Sequence, residues 1–161
     1  MPTIKVFTVG GTIDKVYFDA ASQYEIGEPQ VGRLLQTAGV ADVEITALMR
    51  KDSLVMDDAD RARVREAIQA ETCRRILVTH GTDTMAQTAQ ALGDCGDKTV
   101  VFTGAMQPAR FQDSDATFNI GFALGVASVA PPGVYLAMHG QVFDPAGVRK
   151  NREADRFEPL A

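Results

Sequence analysis

Five short apolar runs, Ile4 to Val9, Val43 to Leu48, Arg75 to Thr79, Thr99 to Thr103 and Gly133 to Met138, recur along the chain with helix-patterned segments between them. Each run is brief, rich in β-branched residues and almost continuously apolar, the pattern of strands covered on both faces. Strands that alternate with helices imply an α/β architecture. The expected class is a three-layer sandwich with a mostly parallel central sheet, flavodoxin-like, in a single domain, with all five runs in the sheet.

The intervening segments read as helices. Pro29 to Ala38 is a short one ended by Gly39. Asp57 to Ala70 places Ala59, Val64, Ala67 and Ile68 at helical spacing, with Arg61, Arg63 and Arg65 outward as a solvated face. Thr84 to Leu92 carries Met85, Thr88, Ala89 and Leu92 on one stripe. Thr117 to Val129 carries Phe118, Phe122, Leu124 and Val126 before Pro131 stops it. These Met and Phe residues are expected in the core.

At 161 residues the chain suits one core, and 45% hydrophobic with 23% charged residues is ordinary globular composition. A formal charge of −5 repels phosphate backbones and anionic membranes, so neither nucleic acid nor a membrane surface is an expected partner. Cys73 and Cys95 form no CxxC and have no neighbouring His, so they read as two small thiols rather than zinc ligands or a disulfide. With no clustered His, Cys or Asp at ligand spacing, no metal is expected, and no cofactor either. The first residues enter a strand-like run without a signal-peptide pattern, and Ile120 to Val134 is broken by Gly125, Ser128 and Pro131-Pro132, so a cytoplasmic protein is expected.

In open α/β sheets, ligands gather where strands end and helices begin. Three polar clusters fall at such places. Gly10-Gly11-Thr12-Ile13 follows the first run; adjacent glycines can form an anion-binding nest beside the Thr hydroxyl, or serve a tight chain reversal alone. His80-Gly81-Thr82-Asp83-Thr84-Met85 follows the third; Thr82 and Asp83 suit a ligand with carboxylate and ammonium groups, or simply cap a helix. Val148-Arg149-Lys150-Asn151 lies beyond the fifth, and its Lys is a surface charge unless an acid and a hydroxyl lie beside it. Neither GxGxxG nor GxxxxGK[ST] occurs, which disfavours a nucleotide.

Taken in order, these clusters, with Asp52-Ser53, Gly104-Ala105-Met106 and the Asp115 to Asn119 segment, resemble the bacterial-type L-asparaginases and glutaminases. Those are threonine amidohydrolases with an N-terminal catalytic domain and a smaller C-terminal one. The resemblance covers essentially the whole chain but only the family's N-terminal domain. It therefore implies a short form in which residues 1–161 are the catalytic domain and the C-terminal domain is absent.

The resemblance implies hydrolysis of L-asparagine to L-aspartate and ammonia, with L-glutamine as an alternative substrate. Thr12 would be the nucleophile that forms an acyl-enzyme. Thr82, Asp83 and Lys150 would form the second hydroxyl–acid–base group, with Lys150 held near its neutral form. Backbone N–H groups around Gly11 and Thr82 would stabilise the oxyanion. Gly11, Ser53, Gly81, Thr82, Asp83 and Ala105 would contact substrate, Asp83 through the α-ammonium and Ser53 through the α-carboxylate; Ser53 is otherwise a polar loop residue. The polar stretch Asp14 to Gly27 suits a mobile lid. Tyr24 best matches the family's lid tyrosine, and Tyr17 competes with it. His80 would support its loop, and His139 would belong to the hairpin region after the fifth run.

Two departures bear on substrate binding: this sequence does not include the C-terminal domain from which, in a neighbouring subunit, relatives draw ammonium and lid contacts, so affinity should suffer, and Leu54 stands where many relatives place a polar substrate-contacting residue, which bears on which amide is preferred. Glu25, Asp14 or another copy could substitute. A homodimer or higher homo-oligomer is accordingly expected. The rival from another class is an amino-acid-binding domain without turnover.

Overall fold

The structure is a computed structural model that describes residues 3–17 and 25–161. In chain order the elements are β1 (Ile4–Thr8), β2 (Lys15–Val16), β3 (Glu25–Ile26), α1 (Val31–Thr37), β4 (Val43–Ala47), α2 (Asp58–Ala70), β5 (Arg75–Thr79), α3 (Met85–Ala91), β6 (Thr99–Thr103), α4 (Ala116–Val129), β7 (Gly133–Met138), β8 (Gln141–Phe143), β9 (Val148–Asn151) and β10 (Arg156–Pro159). All five expected strands join one six-stranded sheet, in the order β4-β1-β5-β6-β7-β8, parallel except for β8. Its five parallel strands follow the flavodoxin-like order, in which the chain steps outward from β1 to β4 and then back across it.

Strand alternation divides the core into two layers. Phe7, Ile76, Val78, Val100, Phe102, Leu136 and Met138 face α2 and α3, where Val64, Ile68, Met85, Ala89 and Leu92 meet them. Ile4, Val6, Leu77, Val101 and Ala137 face α1 and α4. Each large aliphatic or aromatic side chain so buried contributes about 1.5–3 kcal/mol. The helix α2 starts at a reciprocal cap: Asp57 accepts from Asp60 N at 2.9 Å, and Asp60 accepts from Asp57 N at 3.1 Å.

Three expectations need correction. The Val43 strand is an edge strand with largely exposed or half-exposed side chains, because pairing on one side and partial helix cover leave it open. Arg61 does not point outward with Arg63 and Arg65; its side chain is mostly buried, while still within 3.8 Å of Asp58. In α4 the buried stripe is Ala116, Asn119, Ile120, Ala123, Val126 and Ala127, whereas Phe118 is 61% exposed. Small residues face the sheet and let the helix lie close, so Phe118 and Phe122 stack on each other outside, with centroids 6.4 Å apart. Among the described residues no helix is long and apolar enough to cross a membrane.

Candidate active site

The sheet brings the first two polar clusters side by side. Thr8 and Thr79 are register partners, and the pairing continues past the strands through Val9 N to Thr79 O at 2.9 Å and His80 N to Thr103 O at 3.0 Å. Gly11, with φ of 92°, lies so close to Gly81 that a Cβ on it would stand 2.4 Å from Gly81 Cα. A Cβ on Gly81 would in turn stand 2.7 Å from both Cβ and Oγ of Ser53. Backbone on backbone at this range requires glycine at position 11, and the buried Ser53 side chain leaves no room for a side chain at position 81. Three loops distant in sequence are thereby pressed together.

Thr12 opens a 3₁₀ turn, Thr12–Asp14, at this junction. It is half-buried, and its hydroxyl bonds to no described residue. The N–H groups of Gly11 and Thr82 likewise donate to no acceptor among the described residues. Donors and a hydroxyl without partners among the described residues, at the end of a sheet, can meet a polarised carbonyl.

Lys150 arrives from β9. Its Nζ donates to Thr82 Oγ1 at 2.7 Å and to Asp83 Oδ1 at 2.9 Å, and its side chain is 14% exposed. The lone lysine therefore does lie beside an acid and a hydroxyl. Its placement depends on β10: Lys150 pairs with Phe157, a buried ring that packs against Phe143 with centroids 6.4 Å apart. That apolar anchor fixes the hairpin to the core. A cleft of about 330 Å³ opens beside Thr82, Asp83 and Lys150.

Helix capping does not explain Thr82 and Asp83. The N-cap of α3 is Thr84, which makes no side-chain cap; its hydroxyl donates to Ser53 O at 2.8 Å, and its N–H donates to Ser53 Oγ at 3.2 Å. Ser53 is buried in a 3₁₀ turn behind Asp52, whose carboxylate accepts from Leu54 N. The Ser53 oxygen that accepts Thr84 N–H keeps its own proton to donate. Leu54 itself points into solvent.

The Gly104-Ala105-Met106 turn is held from below. Ala105 is buried in the α1/α4 layer, and Asp115 accepts from Met106 N, Gln107 N, Asn119 Nδ2 and His139 Nε2, the last at 2.7 Å. Burial raises the Asp115 carboxyl, but these donors together outweigh it and hold the group below the usual carboxylate range. The sequence offered Asp115 only as part of a likeness and did not signal its bond to His139.

His80 is fully buried. A carbonyl oxygen can only accept, so the ring donates from Nδ1 to Gly81 O at 2.7 Å, and Nε2 takes the Thr88 hydroxyl at 2.8 Å. Burial drives its pKa down to about 4, against a bond to Gly81 that favours the charged form. It shapes the Gly81-Thr82 turn as a neutral ring, the supporting role expected of it. Tyr24 lies outside the described residues, and Tyr17 follows β2 and is 51% exposed.

Asp14 is buried at the root of the β2–β3 pair. Its Oδ1 accepts from Gln30 N at 2.8 Å, and its carbonyl accepts from Gly27 N at 2.8 Å. Burial raises the carboxyl from 3.8 to about 6, opposed by the Gln30 N–H and by Arg50. The folded chain thus keeps a proton that the unfolded chain releases, and the stability this gives is complete below pH 3.8 and lost as pH rises through 6. His80 acts in the opposite sense, because its stability is lost as pH falls from 6.5 toward 4. Asp14→Asn keeps the oxygen acceptor and removes the ionisation. In urea unfolding its gain over the parent should grow from about 1.5 kcal/mol at pH 5 to about 3 kcal/mol at pH 8. A difference that does not vary with pH would show that Asp14 is not the titrating group.

At the carboxyl ends of the neighbouring strands β1 and β5, a flavodoxin-like sheet brings the Thr12 and Thr82 loops together, with Asp83 and Lys150 beside Thr82. The family model "Asparaginase, N-terminal" matches residues 3–158, and the chain belongs to that family. It is 31% identical to "L-asparaginase 2" of Escherichia coli (strain K12) over 168 residues, which cover 96% of this chain and 48% of that protein. It is 30% identical to "Probable L-asparaginase periplasmic" of Haemophilus influenzae, covering 93% of this chain and 46% of the relative. The solved thermostable L-asparaginase from Thermococcus kodakarensis superposes with a TM-score of 0.83 at 27% identity, over 97% of this chain and 50% of that one. The chain spans about half the length of the relatives it matches.

Proposed function

We propose that the protein hydrolyses the side-chain amide of L-asparagine to L-aspartate and ammonia. The observation that carries this reading is the Lys150 Nζ placed 2.7 Å from Thr82 Oγ1 and 2.9 Å from Asp83 Oδ1, next to loops joined at Gly11 and Gly81. Family membership and a Thr12 hydroxyl without a partner among the described residues support it.

In this reading Thr12 attacks the amide carbon, and the N–H groups of Gly11 and Thr82 receive the oxyanion. The C–N bond breaks, ammonia leaves with the proton surrendered by the Thr12 hydroxyl, and an ester to Thr12 remains. Water then attacks the ester, its oxygen enters the new carboxyl group, one of its protons returns to Thr12, and the other is released as the product ionises to L-aspartate. Once Lys150 has given up one proton to solvent, its amine lone pair accepts from the Thr82 hydroxyl, which relays protons to the reacting centre or activates the water. Asp83 orients Lys150 and binds the substrate ammonium. Ser53 donates its remaining proton to the α-carboxylate, and the Gly81 and Ala105 turns shape the walls. By the family pattern Tyr24, which lies outside the described residues, would help orient the Thr12 nucleophile. A second copy of the chain supplies contacts around the opening, as a homodimer or larger homo-oligomer.

The test is ammonia release on adding L-asparagine, with L-glutamine run beside it, in the native chain and in Thr12→Ala. Turnover should fall at least about a thousandfold in the variant. Binding of L-aspartate by a native chain that releases no ammonia would replace this reading with a non-catalytic amino-acid-binding domain.

A further inference from the structure

We infer that Arg152 tunes the selectivity of the Asp83 carboxylate against ligands bearing an α-ammonium group. The inference rests on the reading of Asp83 as the ammonium acceptor. Arg152 follows β9, and its Nε stands 3.2 Å from Asp83 Oδ1, the same oxygen that accepts Lys150 Nζ at 2.9 Å. Two basic side chains thus converge on one carboxylate oxygen. The Arg152 guanidinium by itself balances the Asp83 charge whatever the state of Lys150, and a ligand ammonium must come to a carboxylate already claimed twice. A ligand with only a carboxylate and an amide meets no such competition.

The two competitors are not equivalent. Lys150 is 14% exposed and bonded to Thr82 as well, so it is held in place. Arg152 is 64% exposed and lines the cleft of about 330 Å³ together with Gln87 and Phe157, which leaves its guanidinium room to swing off Asp83. An arginine stays charged at every working pH, so displacement is the only way to relieve the competition. Because the ion pair is exposed, displacing it has a small effect on affinity, and Arg152 acts as a selectivity bias rather than a block.

The test measures binding of two ligands of equal length, L-asparagine and succinamate, which lacks the amino group. Native chain, Arg152→Ala and Arg152→Lys are compared by calorimetry, each on a Thr12→Ala background so that turnover does not interfere. Removing Arg152 should raise the preference for L-asparagine over succinamate about two- to fivefold, the size of one exposed ion pair. Arg152→Lys should restore most of the native ratio, and added salt should shrink the difference. Equal changes for both ligands, or none, would overturn the role of Arg152 while leaving the amidohydrolase reading intact. Failure of every chain to bind either ligand would overturn both.

Discussion

Lys150→Met lowers ammonia release from L-asparagine by about 10²–10⁴-fold, the usual contribution of a positioned acid–base group. Methionine keeps an unbranched apolar stem of similar length, so the strand pairing of β9 with β10 and the seat of Phe157 stay intact. What disappears is the nitrogen 2.7 Å from Thr82 Oγ1. Asp83 is not left alone, because Arg152 Nε remains 3.2 Å away, and the variant should fold. The loss should therefore appear mainly in kcat, with a much smaller change in KM. A variant that melts normally and works within tenfold of the native rate would remove Lys150 from the chemistry.

Gly11→Ala should destabilise the domain by about 3 kcal/mol or more and abolish measurable turnover. Two effects add. The backbone at Gly11 has φ of 92°, a region L side chains rarely adopt, and the new Cβ would lie 2.4 Å from Gly81 Cα and 2.5 Å from Gly81 N. Neither neighbour is a side-chain end that can rotate away, so the Thr12 and Thr82 loops would have to separate. Gly39→Ala is the control. Its φ is 73°, but nothing lies within 4 Å of the added Cβ, so it should cost about 1 kcal/mol and leave turnover unchanged. Urea unfolding and ammonia release measure both variants. Similar losses for the two would mean that backbone conformation, not the approach to Gly81, decides the effect.

Several parts of the fold could be read from local pattern. The limits of β5, β6 and β7 agree with the apolar runs, and the Met85, Thr88, Ala89 and Leu92 stripe of α3 is buried as its spacing indicates. The pattern failed where two faces competed. In α4 almost every residue is apolar or small, so hydrophobicity could not tell the face on the sheet from the face with Phe118, and packing volume chose the alanines. The short antiparallel pairs were missed because two to four residues hold too little periodicity to register.

In the site, residue types and order were legible while contacts were not. Nothing near residue 150 in the chain says that its amine reaches Thr82, and Arg152 drew no notice because its partner, Asp83, is remote in sequence. Asp115 and His139 likewise meet only where α4 begins beside the end of β7.

By itself the sequence determined an alternation of strands and helices with polar residues at the strand ends, since side-chain periodicity is a property of neighbours along the chain. Only the tertiary structure decided which of those ends touch. Strand order set β1 beside β5, the absence of two side chains let Gly11 and Gly81 meet, and the Phe157 anchor carried a lysine and an arginine to one carboxylate. Such distances follow from how separate segments pack, which no local pattern encodes.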